Sequence, residues 1–94
     1  DNVTIEHIDS QHAQGGNTLP QDSINKLKNL TILSREDNGS RVGNKPFAEK
    51  KETYEKSCYK INQNLAKHDT WQLPDADDWE NYLITFGCKI FVVK

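Results

Sequence analysis

No stretch of this 94-residue chain approaches the roughly 18 consecutive apolar residues of a membrane-spanning helix, and no signal-peptide pattern opens it. Both absences predict a soluble chain. Methionine is missing altogether, and the sequence starts on Asp1 at the edge of an apparent strand. The expectation is a single domain cut from a longer protein, and removal of a targeting segment would leave the same start. Only two cysteines occur, Cys58 and Cys88, and no CxxC pair, which excludes a four-cysteine zinc knuckle. Their simplest reading is two buried thiols. A GxxxxGK[ST] phosphate loop is absent too, which excludes a P-loop nucleotide site of that type within these residues. Neither sign of charge dominates: the net charge is -2 and the pI near 5.9, which does not announce nucleic-acid binding.

What is present is a lean composition. Hydrophobic residues make up 34% and charged residues 28%, with a mean hydropathy of -0.86. One domain with a modest core is all this chain length supports. Charge is unevenly placed, with seven basic residues from Arg35 to Lys60 against five acids, and five acids without a base from Asp69 to Glu80. On charge alone that is a solvated helix face with Glu and Lys at i,i+4 spacing. Three sequons, at Asn2, Asn29 and Asn38, would suit a secreted glycoprotein.

Hydrophobic patterning predicts a strand over residues 3 to 8, a polar Gly, Asn and Pro loop, and a turn around Ile24 to Leu27. A second strand follows in "NLTILS", residues 29 to 34. The polar "REDNGSRVGN" reads as a short helix that Gly39 and Gly43 weaken or end. Pro46 fits the first turn of a helix in which Phe47, Tyr54, Cys58, Ile61 and Leu65 form one buried stripe. After a linker from Trp71 to Pro74, Asp75 is the candidate N-cap of a last helix from about Ala76, with Trp79, Leu83, Phe86 and Ile90 on its apolar face. The closing "KIFVVK" suits a helix or a strand equally.

Within the first strand, "VTIEHIDSQH" sets two ionisable residues, Glu6 and His7, among β-formers, where burial of either charge is costly. A strand ending in an acid and a histidine, a polar loop, a second strand led by Asn29 and a helix carrying Asn38 together resemble the ββα-metal, or HNH, nuclease site. The resemblance becomes specific over "IEHIDSQ" and "KLKNLTILSREDNGSRVGNKPFAEKKETYEKS". These segments look like the C-terminal HNH-like domain of the GmrSD type of modification-dependent restriction enzymes, whose pattern reads approximately EHIxPQ, GNLTLLS, then NKxFxxKKxxY and a helical tail with Trp. The likeness covers nearly the whole chain and is strongest over residues 5 to 57.

The resemblance implies an α+β fold with a ββα-metal core over residues 3–45 and a helical buttress over 46–94. It implies hydrolysis of DNA phosphodiesters. A histidine titrates near neutrality, so His7 would be the general base, with Asn29 orienting it. Glu6 and Asn38 would be oxygen ligands of Mg²⁺ or Mn²⁺. Strand alternation sends Glu6 and His7 to opposite faces, so both serve one site only if the strand end bends. Arg41, Asn44 and Lys45 are the candidate phosphate contacts, although Asn44 would equally serve as a helix cap. His12 and His68 read as surface residues. Implied partners are DNA and an upstream nucleotide-hydrolysing domain that gates cutting, in the cytoplasm of a bacterium or archaeon, with no membrane association.

The chain departs from the pattern at Ser10, where proline is usual, at Lys28, where glycine is usual, and at Phe86, where arginine is common. Without that proline, and with Asp9 before Ser10, the expectation is a looser site or an added carboxylate near the metal. Two other classes of function stay open on sequence: a nucleic-acid-binding domain of the same fold that has lost cutting, supported by Ser10, and a secreted domain with a Cys58 to Cys88 bridge. RNA remains open as a substrate.

Overall fold

The computed structural model describes residues 3–91, without the side chains of Ser40 and of residues 87–91. Strand β1 (Val3–His7) pairs antiparallel with β2 (Leu30–Ser34), Glu6 opposite Thr31 and His7 opposite Leu30. Helices α1 (Phe47–Glu55), α2 (Lys60–Leu65) and α3 (Leu73–Phe91) complete a small α+β domain. Alternation along β1 holds: Glu6 faces inward at 4% exposure, while Ile5 on the other face is 61% exposed. Among the described residues, no helix is long and apolar enough to cross a membrane.

The polar segment between the strands carries few apolar groups, yet it is held firmly. Asp9, itself buried, accepts hydrogen bonds from the Thr18 and Leu19 backbone N–H groups, each at 2.9 Å, and from Asn17 Nδ2 at 3.0 Å. Two single 3-10 turns, Gln21–Ser23 and Leu27–Asn29, bring the chain back to β2. Lys28 reaches across to Asp77 on α3 at 2.7 Å.

After β2 the chain winds into a π-helical segment, Asp37–Val42, closed by a bond of 3.2 Å from the Gly43 N–H to the Asn38 carbonyl. Gly43 adopts φ +44°, a left-handed conformation that costs glycine little and ends the segment. The stripe expected on one continuous helix is divided between α1 and α2. Ser57 makes the break: its Oγ accepts the Tyr59 N–H at 3.1 Å and an Asn62 Nδ2 bond at 3.0 Å, so a side chain takes over a donor that a helix ladder would use. Phe47, Tyr54, Ile61 and Leu65 are buried, but Cys58 falls in the break and is an exposed free thiol, not a buried one. The Cys88 side chain lies outside the described residues.

Helix α3 starts at Leu73, earlier than the sequence pattern suggests. Asp75 lies within its first turn, where Oδ2 accepts from the Gln72 N–H at 2.9 Å and from Thr70 Oγ1 at 3.1 Å. The helix runs through Phe91, so "KIFVVK" is helical up to that residue; the remaining three lie outside the described ones, as does the Ile90 side chain. Trp71, Trp79, Tyr54 and Leu33 form the centre of the core. Trp71 stacks on Phe47 with centroids 5.4 Å apart, and Trp79 stacks on Tyr82 at the same separation. Phe86 stays 42% exposed beyond that core.

Candidate active site

The end of β1 opens on a shallow cleft of about 240 Å³ bordered by Glu6, His7, Gln11, His12, Asn38 and Asn44. Both members of the Glu6–His7 pair therefore reach it, although they leave the strand on opposite faces. Of the two histidines read as surface residues, His12 is exposed and borders this cleft. His68 is half-buried instead, edge-on to Trp71 at 5.5 Å and 3.2 Å from Asp78.

Glu6 is tied down by one oxygen. Its Oε2 accepts from Lys50 Nζ at 2.8 Å and from the Tyr54 hydroxyl at 3.2 Å, while Oε1 has no partner among the described residues. Lys50 is wholly buried, against the expectation that it belongs to a solvated basic face. Its ammonium meets four acceptors: Glu6 Oε2, the His7 and Ile8 carbonyls, each at 3.0 Å, and Ser10 Oγ at 2.8 Å. A buried ammonium is tolerated only with such pairing. Burial raises the pKa of Glu6 above its ordinary value despite Lys50 beside it, and burial lowers that of Lys50 despite Glu6. Tyr54 is pushed well above its usual range by burial and by the neighbouring carboxylate. Ser10 also donates to the Gly43 carbonyl at 3.3 Å, joining the segment after His7 to the end of the π-helical turn.

Asn29 is completely buried and uses both ends of its amide. Nδ2 donates to the Asp9 carbonyl at 2.9 Å and the Ile24 carbonyl at 2.8 Å. Oδ1 accepts from the Asp9 N–H at 2.8 Å and from Trp71 Nε1 at 3.0 Å. A glycan has no room on Asn29. Asn38 donates to Thr4 Oγ1 at 2.7 Å and to the Ile5 carbonyl at 3.2 Å, and its Oδ1 has no partner among the described residues.

Two of the three candidate phosphate contacts lie elsewhere. Arg41 and Lys45 border a neighbouring groove of mixed charge with Asp37, Glu49, Glu52 and Lys56. Arg41 is paired with Asp37 at 2.7 Å and Glu36 at 3.6 Å, and Lys45 Nζ donates to the Arg41 carbonyl at 3.0 Å. Only Asn44, exposed, stands at the cleft with His7.

Among the described residues no three or more His, Cys, Asp or Glu side chains group as a metal site. Two residues bordering the cleft instead carry an oxygen without a hydrogen-bond partner among the described residues, Oε1 of Glu6 and Oδ1 of Asn38. One charged and one neutral oxygen suit a hard divalent cation whose other positions are filled by water or a phosphate. The hydrogen bonds on Glu6 Oε2 are of the kind that fix a ligating carboxylate.

Sequence reasoning missed Lys50, and a signal for it existed: Phe47, Lys50 and Tyr54 recur at three and four residues, the spacing of one helix face. It also missed Asn25, whose Oδ1 lies 2.9 Å from His7 Nε2.

A search among curated proteins found no match, and neither did a search among solved structures. A family model described as GmrSD restriction endonucleases, C-terminal domain, matches residues 1–86. The chain belongs to that family of restriction endonuclease C-terminal domains.

Proposed function

We propose that this domain is a metal-dependent DNA endonuclease with a ββα-metal site at the end of β1. The observation that carries the reading is the convergence of an imidazole, His7, with two partnerless oxygens on Glu6 and Asn38 at one cleft. A divalent cation, Mg²⁺ or Mn²⁺, held by Glu6 and Asn38 would supply positive charge to a phosphate and its departing oxygen.

The chain's own residues do the rest. His7, half-exposed at the cleft, takes a proton from the attacking water. Asn29 fixes the backbone just after His7 by gripping Asp9 at both N–H and carbonyl. Lys50 fixes the His7 and Ile8 carbonyls from the other side. Glu6 keeps one oxygen on Lys50 and Tyr54 and offers the other to the cleft. Asn44 contacts the DNA backbone at the cleft, and Lys45 with Arg41 guides it along the adjoining groove.

Among the described residues, most basic side chains of the Arg35–Lys60 stretch already pair with acids or carbonyls, so this domain holds DNA weakly by itself. An upstream nucleotide-hydrolysing domain is the partner that delivers DNA and gates cutting, inside a bacterial or archaeal cell.

Nicking of supercoiled plasmid with Mg²⁺ or Mn²⁺ tests the reading, beside His7→Ala protein of matched fold. Nicking by the wild type, stopped by chelator and absent in the variant, is the expected result. Equal nicking by both proteins refutes it, and so does a wild type that binds DNA but never cuts it when joined to its gating domain with nucleotide.

A further inference from the structure

We infer that Asn25 is the positioning residue for the His7 ring, holding its Nε2–H and leaving Nδ1 as the nitrogen that takes the proton. The inference rests on His7 being the general base. Among the described residues, the imidazole makes one hydrogen bond, Nε2 to Asn25 Oδ1 at 2.9 Å. An amide oxygen only accepts, so the nitrogen facing it carries the hydrogen. In a neutral ring the other nitrogen is then bare, and Nδ1 has no partner among the described residues. Gln11 Nε2 donates to the same Asn25 oxygen at 2.9 Å. That second donor keeps the oxygen, rather than the amide nitrogen, turned to this side.

Among the described residues the side chain of Asn29 makes no hydrogen bond to the ring; it acts on both partners through the backbone. Its amide grips Asp9, two residues after His7, and the Ile24 carbonyl, which belongs to the residue before Asn25. Ile24 is buried. The Asn29 main chain adds two bonds of 2.9 Å, its carbonyl to the Ile8 N–H and its own N–H to the Lys26 carbonyl. The strand end carrying the base and the turn carrying its acceptor are thus fastened to one buried residue, which sets the distance between imidazole and amide. Asn25 itself is exposed, so replacing it removes the ring contact without opening the core.

Two variants separate orientation from structure. Asn25→Ala removes the acceptor, whereas Asn25→Asp keeps an acceptor of the same length. In long-range ¹H–¹⁵N spectra taken with the imidazole neutral, wild-type His7 is expected as the Nε2–H tautomer alone. Asn25→Ala shows the mixed tautomers of a free imidazole, and Asn25→Asp shows the wild-type pattern. In plasmid nicking, Asn25→Ala loses about 10- to 100-fold in kcat with KM little changed, the size of effect typical of a lost orienting contact, and Asn25→Asp recovers most of it. A wild-type Nδ1–H ring, identical tautomers in wild type and Asn25→Ala, or undiminished kcat in Asn25→Ala overturns the assignment. A wild type that never cuts refutes His7 as a base, while the ring spectra still decide whether Asn25 holds the imidazole.

Discussion

Replacing Lys50 by methionine tests how the segment around His7 is held. The side chain is wholly buried, and its ammonium serves a carboxylate that is itself only 4% exposed, two carbonyls and a hydroxyl. Methionine fills nearly the same space but supplies no donor, so Glu6 keeps only the Tyr54 hydroxyl. Breaking a buried ion pair from one side costs about 3–5 kcal/mol. A domain of this size has a total stability of about 5–15 kcal/mol, so the loss is a large share of it. With a urea m-value of about 1.5 kcal/mol/M, the midpoint falls by about 2–3 M. The double variant Glu6→Gln, Lys50→Met removes both charges together. It should be more stable than the sum of the single losses predicts, by about 1–3 kcal/mol of coupling. Urea unfolding of the four proteins, followed by Trp71 and Trp79 fluorescence, measures the cycle. A midpoint shift below about 0.5 M for Lys50→Met, on the same scale, or strict additivity, would refute the buried network.

Asn29→Asp keeps the shape but sets a carboxylate against the Asp9 and Ile24 carbonyls, so it should cost at least about 3 kcal/mol in urea unfolding; near-wild-type stability would contradict the buried clamp. Because burial raises the Glu6 pKa above 4.5, the folded chain retains a proton there that the unfolded chain has released. Stability contributed by this group therefore falls as pH climbs above 4.5 through the folded value, and Glu6→Gln lacks that slope; a wild type that gains stability over Glu6→Gln across this window would show the sign to be wrong. The lowered pKa of Lys50 acts oppositely, adding stability as pH rises toward 10.5, a slope that Lys50→Met loses. Cys58 is an exposed thiol, so a maleimide should add one mass increment there under native conditions. Resistance until reductant is supplied would instead restore a Cys58 bridge.

The strands were legible because their signal is local. Residues 3 to 8 and 29 to 34 are β-formers bounded by polar segments, and the observed strands begin or end within one residue of them. Gly43 could be read as a terminator for the same reason. The break at Ser57 could not, since periodicity weighs where apolar residues fall and not whether a hydroxyl captures a neighbouring N–H. Lys50 escaped because its residue type signals solvent, and only its place between Phe47 and Tyr54 on one helix face argues otherwise. Asn25 lies 18 residues from His7 in an exposed turn, so nothing short of the fold connects them. Arg41 and Lys45 were grouped with Asn44 by proximity in sequence, but they border a different groove, Arg41 held to Asp37 and Lys45 to the Arg41 carbonyl.

The same composition that limits the core explains why the site is held by polar groups. Residues 8 to 10 leave the strand ladder, so their backbone groups need other partners, and a buried segment cannot leave them unmatched. A chain with 34% hydrophobic residues has few apolar side chains to wedge such a segment in place. Lys50 and Asn29 meet both demands together: the ammonium takes the carbonyls of residues 7 and 8, and the amide takes both backbone groups of residue 9. Hydrogen bonds are directional where apolar contacts are not, so a fully matched network fixes position more narrowly than packing alone. The cost is that such a network fails as a unit. Loss of either buried group leaves charges or carbonyls stranded next to His7, so if the proposed reaction is this domain's, a substitution far from solvent should abolish cutting as surely as one at the imidazole itself.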